Sequence, residues 1–296
     1  MKILQSAVVL LATLAIAGCG KNEDIITEGG ALKPPQNVTA YSAGSQSVTL
    51  VWAAPPGAGD SLFAGYLVQW TGGGDTLGKY ALTCTATGLP QGVMQFLLYS
   101  RLTDGTKSST GAVIQWAPAD RFSNLTIYEY RGVSSVGNTA VDLGLSGGPA
   151  TTLDLDQNAV TADLYLFGGA GQLVDNLTLV APDQFYAALK ATRFSSVTDS
   201  SSTLDFPRPT FPAATSFTEE QVLVTVNTIY YLQLVGPGNV QYFARVLVAS
   251  TAGQPVGRSV TLEVSVQKAQ GVPYADACRE GFPTLSNTAM IVPFAR

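Results

Sequence analysis

The carboxylates are the residues with the greatest chemical reach in this chain. Asp154, Asp156 and Asn158 stand at alternate positions, a spacing that can place oxygens around a calcium ion. The rest of that pattern is missing. Thr161 follows with no glycine at the sharp bend, and Tyr165 occupies the position of the bidentate Glu. The expectation is therefore a polar turn capping a strand, with no metal ligands. Glu219 and Glu220 are adjacent, so on a strand they face opposite sides and make a poor acid–base pair. Asp120, Asp163 and Asp183 are further acids that only the fold could bring together. Histidine is absent, which excludes imidazole-activated nucleophiles, His-ligated zinc and His-ligated haem. No catalytic residue and no cofactor is assigned.

Recognition chemistry is concentrated in Ser195 to Pro212, which contains Phe206-Pro207-Arg208-Pro209-Thr210-Phe211-Pro212. Proline lacks the ladder donor, so this segment cannot be an interior strand and must be an exposed loop or an edge. Phe206, Arg208 and Phe211 are the candidate partner-binding residues. The favoured alternative is that the rings cover the end of a sandwich while the prolines stiffen the crossing. Cys84 and Cys278 are a candidate disulfide, but sequence does not fix the separation a bridge needs. Leu82-Thr83-Cys84-Thr85-Ala86 alternates, which makes a buried thiol the simpler reading of Cys84.

These residues are set in a chain of 296 residues, long enough for two cores, with only 12% charged residues and a net charge of −5. The acidic balance and the lack of a basic stripe exclude a nucleic-acid footprint. Met1 to Cys19 opens with Lys2, continues with an apolar run from Ala7 to Ala17 and ends in Ile16-Ala17-Gly18-Cys19. The run is shorter than the ~20 residues of a membrane span and has the form of an export signal. Ile16-Ala17-Gly18-Cys19 resembles the lipobox of bacterial lipoproteins. That resemblance implies removal of residues 1–18, lipidation of Cys19 and attachment to a membrane by the new N-terminus. Residues 19–33, with Gly29-Gly30, read as a flexible tether.

Residues 34–117 show the alternation of strands in Ser47 to Trp52 and Tyr66 to Trp70, with breaks at Pro55-Pro56-Gly57 and in the glycines of Thr71 to Asp75. Asp104-Gly105 is a hairpin signal. Pro34-Pro35, Leu50-Val51-Trp52, Gly65-Tyr66-Leu67-Val68-Gln69-Trp70 and Leu89-Pro90-Gln91-Gly92 together resemble a fibronectin type III module. The resemblance implies core positions for Trp52 and Tyr66 between two antiparallel sheets. Residues 118–296 keep the alternation without a nameable family. Gln221 to Leu234, Val240 to Val248 and Ser259 to Gln267 read as a meander, and only Asp183 to Thr192 hints at helix. Asp60-Ser61-Leu62 and Asp75-Thr76-Leu77, both expected in loops, resemble an O-glycosylation triplet of Bacteroidota.

The expectation is an all-β chain: a fibronectin type III-like sandwich followed by a second antiparallel sandwich. It would be lipid-anchored in the bacterial envelope, most naturally at the outer membrane, and would hold a protein or glycan partner without transforming it. Two rivals are a glycan hydrolase using a carboxylate pair in the second domain and a carrier of a small ligand.

Overall fold

Alternating β-branched and aromatic residues build strands along almost the whole of the computed structural model, which describes residues 32–130, 137–168, 176–184, 189–253 and 257–272. Seven strands come first: β1 (Gln36–Gly44), β2 (Ser47–Ala53), β3 (Phe63–Trp70), β4 (Gly73–Gly78), β5 (Thr83–Ala86), β6 (Met94–Leu102) and β7 (Ala112–Trp116). They form a three-stranded sheet, β1-β2-β5, and a four-stranded sheet, β4-β3-β6-β7. The alternate residues Val48, Leu50 and Trp52 face Tyr66, Val68, Phe96 and Leu98 in one buried cluster. Trp52 and Tyr66 meet edge to face, with ring centroids 5.3 Å apart.

One break is shorter than expected: β3 does end at Trp70, before the glycines. The glycines after Trp70 do not end the sheet, because Gly72 turns at φ +89° and Gly73 already pairs with Trp70 as the start of β4. Asp75-Thr76-Leu77 is therefore strand rather than loop, whereas Asp60 does lie in a turn, where its carboxylate accepts the Leu62 N–H at 2.7 Å.

The second sandwich comprises β8 (Asp120–Tyr128), β9 (Ala140–Asp142), β10 (Thr151–Leu153), a one-turn helix α1 (Leu155–Asn158), β11 (Leu164–Phe167), β12 (Thr178–Val180), β13 (Thr192–Ser200), β14 (Phe217–Glu219), β15 (Gln221–Leu223), β16 (Thr228–Val235), β17 (Gln241–Ala252) and β18 (Ser259–Gln267). A five-stranded sheet, β10-β9-β11-β12-β15, packs on a six-stranded one, β14-β13-β16-β17-β18-β8. The late meander is as expected: Tyr242, Ala244, Val246 and Val248 face inward with Val260, Leu262, Val264 and Val266. Gln221 to Leu234 is not one strand. Asn227 takes a left-handed φ of 58°, and the chain passes there from the five-stranded to the six-stranded sheet. Nor does helix extend from Asp183 to Thr192. Pro182–Gln184 is a single 3-10 turn, residues 185–188 lie outside the described set, and Thr192 already begins β13.

The six-stranded sheet is covered on both faces. Tyr230, Leu232 and Leu234 of β16 point into the second sandwich, while Ile229 and Tyr231 join Phe243 and Leu247 in the same cluster as the core of the first. Burial on both sides accounts for the unbroken apolar run Ile229-Tyr230-Tyr231-Leu232.

Candidate functional site

The proline-rich segment that the sequence offered as a recognition loop is turned inward. Arg208 donates its backbone N–H to the Ala40 carbonyl at 2.9 Å and accepts the Ala40 N–H at the same distance. The segment thus caps the edge of β1 with a single antiparallel bridge. Pro207 and Pro209 have no N–H to give, so the bridge cannot extend to either neighbour through a donor. Phe211 is 2% exposed. Its ring stacks on Phe217 and meets Tyr231 and Phe243 edge to face, at centroid distances of 6.1, 5.2 and 5.8 Å. Phe206 is half-buried against the same cluster.

Arg208 is matched by an acid in this junction. The Arg208 guanidinium donates to Asp199 Oδ2 at 2.7 Å, and Tyr231 donates its hydroxyl to the same oxygen. Burial works against the Arg208 charge, but Tyr231 and Asp199 outweigh it and raise its pKa. Burial pushes the Tyr231 phenol up to about 12 despite the counter-pull of Arg245 and Arg208, so it remains a hydrogen-bond donor at any physiological pH. Arg245, 1% exposed, lies 5.9 Å from the Tyr231 ring centroid and donates to the Phe206 carbonyl at 3.1 Å.

A second set of bonds fastens the passage from β7 to β8. Trp116 donates its indole N–H to Ser42 Oγ at 3.1 Å, and Ser42 donates to the Ala117 carbonyl at 2.6 Å. Arg121 forks onto Ser42 O, Asp205 Oδ1 and Leu204 O at 2.8, 2.7 and 3.0 Å.

Of the acids raised as candidates for chemistry, Asp183 and Glu220 meet at one guanidinium, that of Arg193, while Asp163 and Asp120 pair with separate lysines. Asp163, buried between sheets, accepts from Leu143 N at 2.7 Å and from Lys190 Nζ at 3.1 Å. Burial is the dominant influence and lifts its pKa to about 6, against the pull of Lys190. Asp183 pairs with Arg193 at 2.8 Å, Glu220 with the same guanidinium at 3.3 Å, and Asp120 with Lys268 at 3.7 Å. Glu129 takes Arg258 in a two-pronged bridge, with contacts of 2.9 and 2.8 Å. Asp154 is the N-cap of α1 and accepts from Asp156 N at 3.0 Å, while Asp156 accepts the Tyr130 hydroxyl at 2.6 Å. The alternate spacing of these acids serves a helix start. Among the described residues, no group of three His, Cys, Asp or Glu side chains is placed to hold a metal ion.

Cys84 is buried on β5, and burial, with a smaller contribution from the Asp75 charge, pushes its thiol up to about 11. Cys19 and Cys278 lie outside the described residues.

The first sandwich also carries a groove of about 570 Å³ at the β3–β4 turn, lined by Gln69, Trp70, Thr71, Gly72, Gly73, Gln95 and Leu97.

No family model matches the chain, and no curated protein matches it. Among solved structures, the family 28 exopolygalacturonase of Yersinia enterocolitica is 17% identical over 30% of this chain, with a TM-score of 0.25. The match spans about a fifth of that enzyme's length, 21%. A likeness at that level says nothing of chemistry here.

Sequence reasoning did not find Ser42, Arg121, Asp199, Tyr231 or Arg245. Asp199 sits in a serine-rich stretch that reads as loop but ends β13, and its partners are brought to it only by the tertiary fold. The doubly apolar face of β16 was the one signal that something must cover the six-stranded sheet from outside.

Proposed function

We propose that the protein is a lipid-anchored envelope module that holds a protein or glycan partner and performs no catalysis. In this reading residues 1–18 are the export signal, Cys19 carries the lipid, and the first sandwich is a fibronectin type III-like spacer. The carrying observation is the junction. Leu204, Phe211, Phe217, Tyr231 and Phe243 share one cluster with the core of the first sandwich, so the two sandwiches are joined by packing as well as by chain. Two domains meant to move independently would meet through a small polar interface and a linker.

The direction of the chain supports the same reading. β1 begins at Gln36, beside Ala53, and runs toward Gly44, where Ala119 donates to the Gly44 carbonyl at 3.1 Å. The chain thus enters the first sandwich at one end and leaves it at the other, as a stalk requires. The three-plus-four strand arrangement supports the fibronectin-like assignment, and the pairing of Asp163, Asp183, Glu220, Asp120 and Glu129 with cations supports a structural use of the acids.

Fractionation of cells expressing the full chain and its Cys19→Ala variant tests the anchor. The native chain is expected in the membrane fraction, with processing blocked by globomycin, and the variant is expected in the soluble fraction. Equal release of both would overturn the anchor. Crosslinking in solubilised envelope should capture a stoichiometric partner, and release of reducing ends from envelope polysaccharide by the purified protein would overturn the non-catalytic reading.

A further inference from the structure

The exposed apolar side chains of the first sandwich gather at the end where the chain enters it. Gln36 at the start of β1 pairs with Ala53 at the end of β2, Phe63 at the start of β3 with Leu102 at the end of β6, and Gly65 with Gly78 at the end of β4. That end therefore holds the β2–β3 loop, the β4–β5 crossing and the β6–β7 loop, and Leu32 packs on the core beside them. Leu62 of the first loop is 43% exposed, and Tyr80 and Leu82 of the crossing are 86% and 43% exposed. Their backbone is pinned: Thr103 donates to the Leu62 carbonyl at 2.9 Å and Trp52 to the Leu82 carbonyl at 3.1 Å. Elsewhere in this sandwich, Val93 is exposed at the opposite end, just before β6, and Val113 on β7.

Charge is distributed in the same sense. Residues 32–117 hold Lys33, Lys79, Arg101 and Lys107 against Asp60, Asp75 and Asp104, a balance of +1, whereas residues 118–296 hold ten cations against fifteen acids, a balance of −5. Beyond Ala117, Arg121, Lys190, Arg193, Arg208, Arg258 and Lys268 each meet a carboxylate. Among the described residues, none of the four cations of the first sandwich does. The two acids at this end are turned back into their own loops, Asp60 accepting the Leu62 N–H at 2.7 Å and Asp104 the Thr106 N–H at 2.8 Å. Lys79 Nζ stands 5.1 Å from the centroid of the Tyr80 ring, and Arg101 and Lys107 are bridged neighbours at the base of the β6–β7 loop.

We infer that this end rests on a bilayer surface bearing anionic lipid headgroups. Tyr80, Leu62 and Leu82 enter the boundary between headgroups and acyl chains, while the phenol and the lysine amines stay with the phosphates. A soluble anion would engage the amines alone and leave the three apolar side chains in water. The inference rests on the anchored reading above and deepens it by naming the surface that meets the membrane. Residues 20–31 join Leu32 to Cys19, and a coil of that length spans roughly 20 Å root-mean-square, so a lipid on Cys19 keeps this end within reach of the bilayer. Weak contacts then suffice, because the tether supplies a high local concentration. Glu23, Asp24 and Glu28 of the tether oppose the attraction.

The test uses residues 19–296 without lipid, carrying Cys19→Ser and Cys278→Ser, and vesicles of phosphatidylcholine with or without an equal part of phosphatidylglycerol. A nitrobenzoxadiazole fluorophore is placed through Tyr80→Cys or, as the control at the far end, through Val93→Cys, since Cys84 is buried. Anionic vesicles are expected to brighten and blue-shift the fluorophore at position 80 and to leave that at position 93 unchanged. In flotation, the unlabelled chain should bind anionic vesicles at least about fivefold more tightly than neutral ones and less tightly as salt is added. Tyr80→Ser with Leu62→Ser, and Lys79→Gln with Lys107→Gln, should each weaken binding by at least about fivefold with an unchanged melting temperature. Glu23→Gln with Asp24→Asn and Glu28→Gln should strengthen it. No flotation with anionic vesicles, equal fluorescence changes at the two positions, or full binding by the Tyr80→Ser, Leu62→Ser variant would each overturn the inference. Flotation only after addition of an envelope protein extract would assign this end to a protein and overturn it likewise. Because the chain tested bears no lipid, failed anchoring at Cys19 would leave the vesicle result unchanged, and absent vesicle binding would leave the anchor standing.

Discussion

Arg208 and Ala40 exchange both of their backbone hydrogen bonds, N to O at 2.9 Å in each direction, across more than half the length of the chain. One residue of a proline-flanked tripeptide thereby becomes a strand one residue long, added to β1. The side chain of that residue carries the ion pair with Asp199, so a single position serves both the edge of one sandwich and the face of the other.

Arg208→Ala removes the ion pair and keeps the bridge. It should cost about 1–3 kcal/mol, since among the described residues Asp199 then keeps only Tyr231 as its side-chain donor. Arg208→Pro should cost about 1 kcal/mol more, because it also deletes the N–H that Ala40 accepts. Urea midpoints of the two variants against the native chain measure both steps. A Pro variant as stable as the Ala variant would show the bridge to be without energetic consequence.

Ser42 accepts from Trp116 and donates to Ala117 in a fully buried position. Ser42→Ala should destabilise by about 1–3 kcal/mol and alter the emission of Trp116, read by urea titration followed by tryptophan fluorescence.

Asp163 makes stability depend on pH in a known direction. Its pKa rises from 3.8 to about 6 on folding, so the folded chain binds this proton more tightly than the unfolded one. The stabilising contribution of protonation is complete below about pH 4 and is lost as pH rises through 6. The effect is on the order of 3 kcal/mol. Asp163→Asn should flatten this part of the stability profile, and Lys190→Met, which removes the charge holding the carboxylate down, should extend the decline to higher pH. Melting temperatures between pH 4 and 7 check both; a native profile superimposable on that of Asp163→Asn would refute the assignment.

Burial at Cys84 predicts a thiol that reacts only when the chain opens. With Cys19 and Cys278 replaced by Ser, Ellman's reagent at pH 8 should label Cys84 slowly in buffer and at once in 6 M guanidinium. Immediate labelling in buffer would place the thiol at the surface. The same assay on the chain retaining Cys278 reports whether the two sulfurs pair.

Strands with one buried face were readable because their period of two survives any tertiary arrangement. Val48-Leu50-Trp52 and Val260-Leu262-Val264-Val266 announced their inward faces directly. The change of sheet at Asn227 was hidden, because a single left-handed residue interrupts hydrogen bonding without interrupting hydrophobicity. β4 was hidden for the opposite reason: glycines that signal a turn also permit an extended edge when a ring lies where a Cβ would be, as Trp70 lies against Gly73. The stretch Ser195 to Pro212 was read as an exposed loop or an edge, but Ser195 to Ser200 belong to β13, between β14 and β16, and only Arg208 bridges an edge; no local pattern says which strand such a residue meets. Gln69, Gln95 and Leu97, on strands distant in sequence, gave no sign of sharing one outer face until β3 and β6 were paired.

The strand directions have a mechanical consequence. The chain enters the first sandwich beside Ala53 and leaves it beside Gly44, so tension applied between those points acts along the strands and across their hydrogen bonds. Bonds set perpendicular to a pull share it and fail together, whereas bonds aligned with a pull unzip in turn. A protein tethered at one end and gripped at the other would then resist drag in shear, with Arg208 contributing one more rung at Ala40.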